Sequence, residues 1–216
     1  MPGSGELIAA VKAGDTDAIA RLLAGEPALA GASEDGISAV RVALYHRQAG
    51  ALELLLQHSP PLDGLDHAAL GWTAELRGDL ARDPDLAARR SADGFTALHY
   101  ACFFGGAPAA GALLVAGADP NAVADNPTRV RPLHSAAAAR DAEAVRVLLE
   151  AGAEPDATQA GGFTALHAAA QHDDAATAAL LLQHGADPAL RTDQGADARG
   201  IARAQESAAV LALLDF

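Results

Sequence analysis

Three histidines stand in matched surroundings: His99 in FTALHYA (residues 95–101), His134 in RPLHSA (131–136) and His167 in FTALHAA (163–169). Imidazole is the side chain best suited to move protons near neutral pH or to ligate a metal, so these positions are the first to be weighed as chemistry. The run His172-Asp173-Asp174 adds an imidazole beside two carboxylates, and Cys102 is the single thiol. None of these assembles into a site by spacing. The three histidines are 35 and 33 residues apart, so repeated units would set them in a row along a stack, too far apart to share an ion. Consecutive residues at a helix end point in different directions, so His172, Asp173 and Asp174 do not converge. Asp173 or Asp174 is expected instead to cap the helix that follows. Cys102 has no histidine placed to activate it and reads as a small core residue. Gly105-Gly106 and Gly161-Gly162 are not phosphate loops: no G-x-x-x-x-G-K-S/T occurs, and Lys12 is the single lysine. A nucleophile elbow, an H-E-x-x-H and a G-x-G-x-x-G are also missing. The sequence therefore predicts no enzyme, with no catalytic residue, metal or cofactor.

The elements that carry these histidines repeat. Stepping by about 33 residues from His99 gives seven equivalent positions: Ile8, Arg41, Asp66, His99, His134, His167 and Gly200, with one short step of 25 between Arg41 and Asp66. A paired apolar ridge follows about 14 residues later, at Leu22-Leu23, Leu55-Leu56, Leu113-Leu114, Leu148-Leu149 and Leu181-Leu182. Leu80 marks the third unit and Leu213-Leu214 the last. Each unit reads as two short helices. In the fourth, the first runs over 97–104 and the second over 108–116, with Pro108 at a helix start where its missing N–H costs little. Gly117, Gly152 and Gly185 suit the left-handed turn that ends a helix, and polar hairpin material follows. Neither helix buries its apolar stripe alone, so stacking is expected to make one continuous core. The expected units are 4–33, 34–61, 62–91, 92–125, 126–159, 160–192 and 193–216, in a single array. Ser59-Pro60-Pro61 shortens the connection after the second unit, so a hairpin is expected to be lost there.

The pattern resembles the ankyrin repeat family over nearly the whole chain, most closely between residues 93 and 193. The fourth unit carries Gly94-Phe95-Thr96-Ala97-Leu98-His99-Tyr100-Ala101 and then Leu113-Leu114-Val115-Ala116-Gly117-Ala118-Asp119-Pro120-Asn121. The first, second, third and last units are degenerate, as ends of a stack tend to be. In the fifth, Asp125-Asn126-Pro127-Thr128 accounts for the longer step, and Arg131 stands where the motif has Thr. The resemblance implies an all-α repeat solenoid. It also implies structural histidines, hydrogen-bonded to the motif Thr and to backbone of the next unit. Thr96–His99 and Thr164–His167 fit that role, while His134 lacks the Thr.

It further implies binding of a protein partner through a concave face and hairpin tips. The contact positions fall beside the motif Thr and four to five residues past the histidine slot. These are Tyr45 and His46 in the second unit, Asp93, Phe95, Phe103 and Phe104 in the fourth, and Phe163, Gln171 and His172 in the sixth. Trp72 lies just after the matching pair in the third. Only 4% of the chain is aromatic, so clustering of aromatics at those positions points to an interface. The net charge of −13 argues against duplex DNA or an anionic membrane as partner. It leaves open a second role, an acidic inhibitor or immunity-type regulator that covers a basic site. No apolar run is long enough to span a membrane, and the N-terminus has no signal-peptide pattern. One cysteine fits a reducing compartment, and the Arg- and Ala-rich composition suggests a GC-rich bacterial genome. The expectation is thus a cytoplasmic, monomeric, non-enzymatic binding protein.

Overall fold

The structure, a computed structural model, describes residues 3–215. It is an all-α repeat solenoid. The described residues form seven antiparallel helix pairs: α1 (Ser4–Ala13) with α2 (Thr16–Gly25), α3 (Ala39–Tyr45) with α4 (Ala49–Gln57), and α5 (Gly64–Leu70) with α6 (Thr73–Arg82). They continue as α7 (Ala97–Tyr100) with α8 (Ala107–Val115), α9 (Pro132–Ala139) with α10 (Ala142–Glu150), α11 (Ala165–Gln171) with α12 (Ala175–Gln183), and α13 (Ala198–Ala204) with α14 (Ala208–Leu214). A two-residue hairpin, β1 (Ser33–Glu34) and β2 (Ile37–Ser38), precedes α3.

Each pair forms because its sequence is locally consistent. Asp15, Asp141 and Asp174 sit at the same place in three units, and each accepts the backbone N–H three residues on, starting the second helix. Within α10, Val145, Leu148 and Leu149 share one face and are buried. Gly71 ends α5 in the left-handed conformation. The second carboxylate of the 172–174 run thus acts as a cap, and Asp173 accepts the N–H of Val210 from the next unit.

The expected single core is in fact two. One runs through α1–α4, around Leu7, Ile19, Leu23, Val40 and Leu55. The other runs from α5 to α14, around Leu65, Leu76, Leu98, Leu113, Leu148 and Leu181. At the seam lie Arg41 and Asp66, both buried, in the positions that carry histidine elsewhere. Charged groups take the slot there, and apolar contact across the seam is left to partly buried side chains: Leu44 of α3 packs on the second core and Leu70 of α5 on the first. Between α4 and α5 the chain forms no hairpin, as its prolines predict. The hairpin of β1–β2 therefore comes directly against the next one: a Cβ on Gly36 would stand 3.0 Å from Ala92 Cβ.

Candidate functional site

The first helices line one face of the stack, and its middle third holds an aromatic cavity. The cavity measures about 450 Å³ and lies among Tyr45, Phe95, Tyr100, Phe103, Phe104 and Ala138. Tyr45 reaches it from α3 across the short α5. Its ring lies 5.5 Å from that of Phe104, edge to face, and 6.2 Å from that of Tyr100. Phe103 and Phe104 meet edge to face at 4.7 Å. In the intervening unit the position that matches Phe104 is Gly71, which has no side chain to stand between the rings.

Adjacent phenylalanines both line the cavity because the helix widens beneath them. After α7 the backbone continues as a π-helical turn, Ala101–Gly105, closed by Gly106 N–H donating to the Ala101 carbonyl at 2.7 Å. A wider turn brings successive side chains closer in direction, and such turns collect at functional sites. Two glycines permit it. A Cβ on Gly105 would stand 2.0 Å from the Ala68 carbonyl oxygen, and one on Gly71 would stand 2.5 Å from the Gly105 carbonyl oxygen. The end of α5 and the π turn can approach this closely only as Gly against Gly.

A polar network backs the cavity wall. Arg41 Nε donates to Asp66 Oδ1 at 2.9 Å, and Ser38 and the Asp63 N–H also donate to Asp66. The Arg41 guanidinium lies 5.5 Å from the centre of the Tyr100 ring, within cation–π range. The Tyr100 hydroxyl donates to Asp93, which also accepts from Tyr45 and Ser91. Burial alone pushes the Asp93 carboxyl up, but hydrogen bonds from Ser91, Tyr45 and Tyr100 hold it below the ordinary carboxylate range. Burial, joined by the bonds to Asp93, raises the Tyr45 phenol. Burial also raises Asp66, against the pull of Ser38 and Arg41.

The slot histidines do structural work. His99 Nδ1 accepts from the Thr96 N–H at 3.2 Å and from its hydroxyl at 2.8 Å, and Nε2 donates to the Val130 carbonyl of the next unit at 3.0 Å. His167 repeats the bonds with Thr164, and its Nε2 donates to the Leu190 carbonyl at the end of its own unit. His134 keeps two of the three bonds, from the Arg131 N–H and to the Phe163 carbonyl. Burial lowers His99 and His134 from 6.5 to about 4, and it lowers His167 as well. All three are neutral at pH 7 and committed to backbone. Cys102 is buried, and burial raises its thiol. Among the described residues no three or more His, Cys, Asp or Glu side chains group as a metal site, and no helix is long and apolar enough to cross a membrane.

Of the positions singled out by sequence, Tyr45, Phe95, Phe103 and Phe104 converge on the cavity. His46 and Asp93 lie beside it, toward the hairpins, with Lys12, Glu34 and Asp35. His172 joins a second cavity of about 590 Å³, which continues from Phe103 and Phe104 past Arg140. Trp72 stands apart, stacked on His67 at 6.0 Å. Phe163 is half-buried against the His167 ring, and Gln171 is exposed outside both cavities. Sequence reasoning missed Tyr100, Arg47 and Gln159, which also line the first cavity. Tyr100 carried a legible signal: the equivalent residues after His134 and His167 are the small Ser135 and Ala168.

A family model described as ankyrin repeats, in three copies, matches residues 7–124 and 107–192. No curated protein matches the chain.

Proposed function

The chain belongs to the ankyrin repeat family, whose repeats serve generally as protein–protein interaction modules, and on that premise we propose that it is a non-enzymatic binding protein whose partner seats on the concave face around Tyr45, Phe95, Phe103 and Phe104. We take the chain as one seven-unit array. The observation that carries the reading is the cavity itself. In a protein so poor in aromatic residues, rings from two non-consecutive units meet there, and Tyr45 and Phe103 remain 40% and 37% exposed. Large exposed rings on a rigid frame are the material of binding hot spots. A preformed surface also loses little conformational entropy on binding. Asp93 and His46 extend the surface toward the hairpins, and His172 extends it along the stack. Trp72, Phe163 and Gln171 belong to the same face at its margin.

The test is affinity capture from an extract of the source cells, comparing the native chain with a Phe103→Ala/Phe104→Ala variant and with the single Phe103→Ser. Loss of capture by variants that remain folded at the assay temperature supports the reading. Capture that survives both variants places the partner elsewhere. The regulator reading has its own observation: Glu34, Asp35 and Asp93 gather on the hairpin side. A partner held there by charge would dissociate as salt is raised and would ignore Phe103→Ser.

A further inference from the structure

The charge of this protein is distributed unevenly. Asp and Glu number 28 against 15 Lys and Arg, yet no carboxylate lines either the aromatic cavity or its continuation. The two share Arg47, Phe103, Phe104 and Ala138, so they form one groove, open along its length. The charged groups on its walls are Arg47 at the end of α3 and Arg140 at the end of α9, with His172 beyond. Both arginines are exposed, and neither makes an ion pair among the described residues. Two unpaired cations thus stand along an aromatic groove whose nearest carboxylate, Asp93, lies behind Tyr45 and Tyr100 at the hairpin end.

Complementarity of that kind selects partners and orients them. Exposed Arg21, Arg77, Arg129 and Arg203 also stand outside the ion pairs among the described residues, so what sets Arg47 and Arg140 apart is their place beside the aromatic rings. A basic segment would be drawn to the hairpin and outer surfaces and would find like charge in the groove. A compact small molecule would use the cavity and leave the continuation empty, whereas an extended chain fills both. An arginine fork also suits a carboxylate better than a neutral group. Resting on the reading of the concave face as the binding site, we infer that the groove takes an extended acidic segment of a partner protein. One aromatic or long aliphatic side chain of that segment enters the cavity between Tyr45, Phe95, Phe103 and Phe104. Flanking carboxylates lie against Arg47 and Arg140.

The experiment is selection of a random peptide display library on the full chain, followed by binding of synthetic peptides by fluorescence anisotropy. The defined probes are a labelled peptide with one Phe between pairs of Glu, its counterpart with pairs of Lys, and a third with Gly replacing Phe. Winners should carry a large apolar residue flanked by Asp or Glu. The Glu-flanked probe should bind about tenfold more tightly than either control, and should weaken as salt rises. Arg47→Glu/Arg140→Glu should reverse the preference toward the Lys-flanked probe. Phe103→Ser should weaken the Glu-flanked probe while the chain remains folded at the assay temperature. Basic winners that are lost on Phe103→Ser overturn the inference while the concave face stands as the site. Winners indifferent to both variants overturn the inference and the site together. If no peptide is enriched, the groove does not take a linear segment and the inference is wrong. Partner capture sensitive to Phe103 would then still support the broader reading.

Discussion

Between the units centred on His99, His134 and His167, neighbours are tied by a neutral imidazole that accepts at Nδ1 and donates at Nε2 to the next unit's backbone. Between the units of Arg41 and Asp66, the same slots hold a buried ion pair at 2.9 Å. The imidazole tie satisfies both ring nitrogens and leaves the surrounding apolar contact intact, so the core runs through without a break. The ion pair needs Ser38 and Asp63 to complete its bonding, leaves Arg41 Nη1 without a partner, and divides the core in two. The histidine region also has ties on its outer side, such as Asn121 to the Gly152 carbonyl at 2.9 Å. The regular half is therefore built for repetition. The irregular half gives up continuity, and the groove lies where the two meet.

The sharpest way to break this comparison is Asp66→Ala. A buried arginine left without its counter-ion costs about 3–5 kcal/mol, whereas replacing both charges by apolar groups is far milder. Asp66→Ala should lower the urea midpoint strongly, and Arg41→Met/Asp66→Leu should recover much of the loss. Amide exchange in α1–α4 should accelerate first, because the seam isolates that core. Equal loss in the single and double variants would show that the pair's charges are not what holds the seam.

Acid separates the halves in the opposite direction. His99 and His134 ionise near 4 in the folded chain and near 6.5 in the unfolded one. As pH falls, the unfolded chain takes protons first. The stability these rings confer is therefore whole above about 6.5 and is lost between about 6.5 and about 4, roughly 2 kcal/mol for each ring by pH 5. The seam holds Arg41 and Asp66 where the other units hold these rings, so it has no slot imidazole to ionise. Between pH 7 and 5 the urea midpoint should fall, and amide exchange in α9–α12 should quicken more than in α3–α6. A midpoint that stays flat would refute the neutral-imidazole tie.

Gly105→Ala tests the junction. Its new methyl group would meet the Ala68 carbonyl at 2.0 Å, so α5 and the π turn must part. Overpacking of this kind costs about 1–3 kcal/mol. The same change at Gly111, where a Cβ meets nothing within 4 Å, should be neutral or stabilising. Thermal unfolding of the two variants separates a local clash from a general effect of losing glycine.

What could be read from sequence follows the same division. The register, the helix pairs and the structural role of His99 and His167 were legible because each rests on residues close in the chain, repeated in phase. The lost hairpin was legible in Ser59-Pro60-Pro61. The Arg41–Asp66 pair was half legible: counting back from His99 finds both slots, and opposite charges in consecutive slots are the signal that they meet. The π turn was not. Phe103-Phe104-Gly105-Gly106 looks like an ordinary helix end until the approach of Gly71 is known. Tyr45 and Trp72 looked alike as candidates. They part because Tyr45 crosses to Phe104 over the bare Gly71 of the intervening unit, whereas Trp72 stacks on His67 within its own unit.

The smallest expected effect lies within the regular half. His134 lacks the Thr hydroxyl yet keeps both backbone bonds, so the hydroxyl adds to the tie without making it. Thr96 and Thr164 are buried, and each hydroxyl bonds its histidine at 2.8 and 2.9 Å. The Thr164 hydroxyl also accepts the His167 N–H at 3.4 Å and so caps α11; losing it typically costs about 1–2 kcal/mol. Thr164→Ala should therefore shift the urea midpoint by an amount of that order and convert the sixth unit to the state of the fifth. Arg131→Thr should recover a similar amount there, since its ion pair with the exposed Glu154 contributes little. If Thr164→Ala costs as much as Asp66→Ala, the hydroxyl rather than the backbone bonds fixes the ring. The two halves would then differ less than their chemistry suggests.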